Sequence, residues 1–323
     1  MSSSTNNLAV YTQRMNKVLD HIDLHLDAAL DLPAMAAVAH FSPYHFHRLF
    51  AAWMGETLGD YLRRRRLDVG AGKLAARHDI PVLEVALSVG FGSGEAFARA
   101  FKLRFGCSPS DWRAATPARW AEQLGEARRR QASQYRNLDQ GLRKPDQETC
   151  GDMLNDVNSN QEDEEFNMEV KLVTLPPIKV AYMRHIGAYG PSLGVFWRET
   201  FMPWLAANDL EGVPCYGISH DDPSITPLDK CRYDACVEVP ENFAAGSKVN
   251  VTTLPGGRYA VTRFEGTGAT IGDAWVKLFR DWLPASGLDC DSRPCFEYYP
   301  KDARFDPATG VFDCDLCIPV RSR

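Results

Sequence analysis

The chain has 323 residues, 45% hydrophobic and 24% charged, with a formal net charge of −6 and nine cysteines. That length suits two domains, or three, each large enough for its own core. With no run of 18 apolar residues, no apolar stretch behind its start MSSSTNNLAVYTQRM, and an odd number of irregularly spaced cysteines, the sequence argues against a membrane-spanning helix, a secretory signal and a disulfide framework, and for reduced thiols in a cytoplasm.

The acidic total is unevenly spread. Residues 8–115 hold 13 basic and 11 acidic side chains, residues 116–167 hold 7 and 11, and residues 168–323 hold 16 and 20. The first segment alone is mildly basic, and phosphate binding depends on local charge, so the overall balance does not exclude a nucleic-acid partner.

Residues 1–7 are small and polar and are expected to be disordered. From Leu8 to about Asp27, Tyr11, Met15, Val18, Leu19, Ile22 and Leu26 recur at helical spacing. Pro33 opens a second helix running to His40, and Ser42-Pro43 caps a third from Tyr44 to Trp53. A longer helix from Leu58 to about Arg77 carries Arg63, Arg64, Arg65 and Arg66. Val82, Val85, Ala86 and Val89 mark the next helix, which Gly90 stops by taking the left-handed conformation of a tight turn. Ser93 caps another, whose buried face is Ala96, Phe97, Ala100 and Phe101. Helix, glycine turn and capped helix make a helix-turn-helix, a shape that places one helix in the DNA major groove. Phe46, Arg48, Phe50, Gly55 and Tyr61 lie 51 residues before Phe97, Arg99, Phe101, Gly106 and Trp112, so the unit is duplicated.

The segments HFSPYHFHRLFAAWMGETLGDYLRRRRL and VALSVGFGSGEAFARAFKLRFGCSPSDWR resemble the AraC/XylS family DNA-binding domain over residues 8–115. The resemblance implies two units on successive major grooves, so that one chain reads an asymmetric site, with oligomers possible. It implies that Ser42, Tyr44, His47 and Arg48 in the first unit, and Ser93, Gly94, Glu95 and Arg99 in the second, face base edges or the adjacent backbone. Arginine suits guanine and glutamate suits the cytosine amino group; the alternative is that the arginines touch phosphate and set register alone. Of the arginine run, Arg63 and Arg65 are taken as phosphate contacts, the alternative being a solvated face.

Residues 116–167 read as a linker, helical from Trp120 to about Leu138, then acidic and disordered from Lys144, leaving the domains free to reorient. From Met168 the period becomes alternating. Strand, strand, helix, strand, strand occurs twice; Gly187 and Gly266 are 79 apart, and the pairs Trp197/Trp275 and Trp204/Trp282 are 78 apart. The expected whole is multidomain: an all-α tandem helix-turn-helix domain, then an α+β domain of two duplicated halves joining antiparallel sheets over residues 168–323.

HIGAYGPSLGVFW, LPGGRYAVTRFEG, AWVKLFRDWLPASG, FEYYP and LCIPV resemble the GyrI-like effector-binding domain. The resemblance implies a cleft between the halves for a small cationic or amphipathic molecule, lined by aromatic residues and one glutamate. Glu297 is the matching carboxylate, and Tyr189, Trp197, Tyr216, Trp275 and Tyr299 are the candidate aromatics; Trp204 and Trp282 read as core. A carboxylate among rings is costly unless a cation or donors compensate it, and cation–π attraction would add to such a site. The alternative for Glu297 is an exposed edge or a pair with Arg258 or Arg263. Cys314 and Cys317 form a CxxC, but on a strand they point to opposite faces, which argues against zinc.

The function expected is a DNA-binding transcriptional regulator whose partners are double-stranded DNA, a small-molecule effector and RNA polymerase, with no membrane, metal or cofactor and no catalytic constellation. The alternatives are a GyrI-like hydrolase that acts on or sequesters a toxic small molecule, and a protein-interaction module.

Overall fold

In the N-terminal half, most helices start where a side chain accepts a hydrogen bond from a backbone N–H that would otherwise lack a partner. The computed structural model describes residues 2–77, 79–116, 168–291, 293–306 and 308–322; the expected linker helix and acidic run, within 117–167, lie outside the described residues. The helices include α1 (Ser2–Leu24), α2 (Leu32–Val38), α3 (Pro43–Met54), α4 (Leu58–Ala76), α5 (Val82–Ser88) and α6 (Gly94–Phe105), and residues 109–116 are helical as well. Asp31 caps α2, Ser42 caps α3, Thr57 caps α4 and Ser93 caps α6. Helix α1 includes Ser2 onward, where disorder was expected; once a helix is nucleated, each further residue adds a hydrogen bond at little cost. Gly90 has φ +83°, and a Cβ there would sit 2.5 Å from the Leu26 carbonyl, so both the turn and the close approach require glycine.

Two apolar cores result. Phe46, Phe50 and Tyr61 are fully buried in the first with Val18, Leu19 and Ile22 of α1, and Phe97 and Phe101 are fully buried in the second with Leu67, Ala71 and Val85. Burying each phenylalanine stabilises its unit by about 1.5–3 kcal/mol. Helix α4 contributes to both cores, and Val69 packs against each.

The C-terminal half is built on antiparallel strands β1 (Val170–Leu175), β2 (Ile178–Ile186), β3 (Cys215–Ser219), β4 (Arg232–Glu238), β5 (Asn250–Leu254), β6 (Gly257–Gly266), β7 (Leu288–Cys290), β8 (Phe296–Tyr299) and β9 (Phe312–Ser322). Their order is β1-β6-β9-β8-β3-β4-β2-β5, with β7 on β9. The halves of the duplication exchange first strands: β1 pairs with β6 of the second half, and β5 pairs with β2 of the first. They join where β3 meets β8, with Gly217 opposite Glu297.

Each half places a helix on the same face of the sheet. Helix α7 runs Pro191–Phe196, through a π-helical turn Trp197–Phe201, into Met202–Ala206. Helix α8 repeats this as Ile271–Lys277, Leu278–Trp282 and Leu283–Ala285. The opposite face carries a separate core of Tyr182, Tyr216, Cys236, Tyr259, Phe296 and Cys317. Among the described residues no helix is long and apolar enough to cross a membrane.

Candidate nucleic-acid interface and effector site

The side chains of α3 and α6 divide as the spacing predicts. Phe46 and Phe50 point inward, while Tyr44, His47 and Arg48 are exposed, Tyr44 to 75%. The Arg48 guanidinium lies 5.9 Å from the Tyr44 ring, one turn away on the same face. On α6, Glu95 and Arg99 are exposed beside the inward Phe97 and Phe101. Ser42 and Ser93 spend their hydroxyls as caps, on the N–H groups of His45 (3.4 Å) and Ala96 (3.2 Å). Hydrogen bonds from its own backbone N–H and from Ser93 hold the Glu95 carboxyl below its usual range. Gly94 is half-buried against Leu83, whose Cδ1 would lie 3.5 Å from an added Cβ.

The arginine run separates residue by residue. Arg63 is exposed. Arg64 pairs with Glu56 at 2.7 Å and Asp68 at 3.2 Å, and Arg66 donates to the carbonyls of Leu26 and Ala28. Arg65, expected at a phosphate, instead bonds Asp23 of α1 and Asp221 of the C-terminal half, both at 2.8 Å. Two carboxylates and the His220 carbonyl each accept from it, so this guanidinium is committed inside the protein.

That contact belongs to a polar interface joining the two halves, where the sequence predicted freedom to reorient. Gln13, Asn16, Asp20 and Asp23 follow one another along α1 at spacings of three and four, and all four face the C-terminal half. Gln13 donates to the Val249 carbonyl at 2.9 Å, and Asn16 to Asn250 at 3.3 Å. Asp20 accepts from Arg184 at 2.9 Å and from the Tyr182 hydroxyl. Asp23 pairs with Arg232 at 2.8 Å. Arg232 is 1% exposed and also holds Asp221 and the Tyr61 hydroxyl. Burial disfavours the charged forms of Asp23 and Asp221, yet the guanidiniums of Arg232 and Arg65 hold both pKa values below the usual range. The sequence signal was a polar stripe at helical spacing beside the apolar face of α1.

On the other face of the sheet, Glu297 is 6% exposed and accepts hydrogen bonds from the hydroxyls of Tyr233 (2.7 Å) and Tyr299 (2.9 Å). Burial pushes its pKa up, while these hydroxyls and the Trp275 indole N–H draw it partly back. Trp197 of α7 closes over the group, 5.5 Å from Tyr299 and 6.4 Å from Tyr233. Gly217 makes the room: a Cβ there would lie 1.8 Å from the Tyr233 hydroxyl and 2.5 Å from Glu297 Oε2. The structure therefore gathers Glu297, Trp197, Trp275 and Tyr299. Tyr189 reaches the edge of this group, 6.1 Å from Tyr233, with its hydroxyl donated to the Arg232 carbonyl.

Tyr216 is a correction. The pleat turns it to the opposite face, against Phe296 and Tyr298, because its neighbours Cys215 and Gly217 take the helix-covered side. Tyr233 is the residue the sequence reading missed, although its alternation with the charged Arg232 and Asp234 marks it as facing the other way. Arg263 pairs with Asp313 and Asp315 rather than with Glu297. Cys314 and Cys317 fall in different cores on opposite faces, and among the described residues no cluster of three or more His, Cys, Asp or Glu suits a metal.

Comparison with known proteins defines the class. Residues 35–115 match a helix-turn-helix domain family, and residues 168–321 match the GyrI-like small molecule binding domain. The chain belongs to the AraC-type helix-turn-helix proteins that carry a GyrI-like domain. It is similar to the transcriptional regulator Rob of Salmonella typhimurium, 26% identical over 92% of this chain and 94% of that one. The regulatory protein SoxS of Escherichia coli is 35% identical over 28% of this chain and 85% of its own length. A DNA gyrase inhibitor of Escherichia fergusonii is 32% identical over 38% of this chain and 79% of its own. The chain is thus a DNA-binding transcriptional regulator with a GyrI-like ligand-binding domain.

Proposed function

We infer that this regulator acts in the cytoplasm and senses a small cationic or amphipathic molecule at Glu297. It reads double-stranded DNA through Tyr44, His47 and Arg48 of α3 and Glu95 and Arg99 of α6. Ser42 and Ser93 present the helix N-termini to phosphate, and Arg63 adds a backbone contact. Trp197, Trp275, Tyr233 and Tyr299 supply the aromatic walls of the effector site, with Tyr189 at its rim, and RNA polymerase is the partner that receives the output.

The observation that carries the effector reading is the buried Glu297 carboxylate, ringed by aromatic side chains and held by two tyrosine hydroxyls, with no arginine or lysine among its hydrogen-bond partners in the described residues. A lipophilic cation entering there supplies the missing positive charge and gains cation–π attraction. The test is a titration of intrinsic tryptophan fluorescence with tetraphenylphosphonium. Saturable quenching is expected in the wild type and not in Glu297→Gln. Because a cation needs the ionised carboxylate, wild-type affinity falls as the pH is lowered through the raised Glu297 pKa. Quenching that survives in Glu297→Gln would remove the carboxylate from the site. No response in either protein would favour a second reading, a GyrI-like domain that binds a protein; the similarity to a DNA gyrase inhibitor supports it.

A further inference from the structure

The two helix-turn-helix units have separate cores, and α4 is the element that contributes to both. A single helix between two cores fixes their distance but leaves their relative twist to whatever else touches both. The loop between β3 and β4, residues 220–231, does so. Near one end, the Lys230 ammonium donates to the Met54 carbonyl, in the last turn of α3, where a cation also meets the negative end of the helix dipole. Near the other end, Asp221 holds Arg65 on α4. Between them, Thr226 donates to Asp68 at 3.0 Å, and Asp68 in turn holds Arg104 of α6 at 2.6 Å. Ile225 packs against the second core. One short loop therefore touches the first reading helix, the connecting helix and, through Asp68, the second reading helix. The exposed sides of α3 and α6 stay clear of it.

We propose that the β3–β4 loop is a specificity-determining clasp: it locks the separation and twist of the two helix-turn-helix units and so sets the spacing of the two half-sites the chain accepts. Inserting one base pair between half-sites moves one of them by about 3.4 Å and turns it by about 35°. A clasped pair of units cannot follow that change, whereas a pair held by α4 and the close approach of Gly90 to Leu26, without the clasp, has more freedom to do so. The assignment does not depend on a ligand at Glu297.

The experiment uses the full chain and a duplex that the wild type selects from a random pool, alongside derivatives with one or two base pairs inserted between the half-sites. Wild-type affinity is expected to fall at least about tenfold on the first insertion, and affinity of the double variant Thr226→Val/Lys230→Met only about threefold, because a looser link tolerates a wider range of spans. Thermal unfolding of each protein checks that it is folded. Should the double variant not fold, Lys230→Met alone, which removes just the ammonium on the Met54 carbonyl, carries the same comparison. Spacing profiles that coincide for wild type and variant would overturn the proposal.

Discussion

Gly217 shows how much one missing methyl group decides. It stands opposite Glu297 where the two halves meet, and the Tyr233 hydroxyl fills the space its side chain would take. Tyr233 is 1% exposed and cannot swing away. Gly217→Ala is therefore expected to lower stability by about 1–3 kcal/mol through overpacking, and to abolish tetraphenylphosphonium quenching by pushing Tyr233 off the carboxylate. An unchanged denaturation midpoint with unchanged quenching would show that the gap is not needed. At this scale the sequence revealed Glu297 by its aromatic neighbours, but not Tyr233. That tyrosine comes from a strand 64 residues earlier, and only the β3–β8 pairing brings the two together.

Strand β4 works on both faces of the sheet at once. Tyr233 points to Glu297, while Arg232 and Asp234 on either side point to the DNA-binding half. Removing Arg232 leaves Asp23 and Asp221 short of a buried partner. Arg232→Met should cost about 3–5 kcal/mol in urea unfolding, the range for a buried pair broken on one side; a loss below about 1 kcal/mol would show that Arg65 alone satisfies both carboxylates. The pH dependence follows from sign. The native pKa values of Asp23, Asp221 and Asp234 are depressed, so their contribution is fully present above the unfolded carboxylate range and is lost only as the pH falls toward the native values. The interface therefore survives mild acid. The helices and strands were legible because their caps, glycines and apolar periods are local. The exchange of β1 and β5 was not, because each could pair within its own half as far as pattern alone can tell.

At the scale of the whole molecule, the four consecutive arginines no longer act alike in DNA binding. Arg63→Ala is expected to reduce the slope of log affinity against log salt by about one, evenly across sequences. Arg65→Ala should leave that slope unchanged, since its guanidinium lies between Asp23 and Asp221. Equal slopes for both variants and the wild type would return Arg63 to a solvated face. The sequence could not separate these residues: the partners of Arg65 include an aspartate 156 residues away. The exchanged strands also set an order of assembly. The helix-turn-helix half draws on contacts within residues 2–116 and can form early in synthesis. The sheet cannot, because β2 waits for β5, and β9, the latest strand in the chain, lies between β6 and β8. The reading half thus emerges from the ribosome with Asp20 of the polar α1 stripe still without Arg184, and with Arg65 and Asp23 holding only each other, and the clasp closes on it only after the GyrI-like domain has folded as one unit.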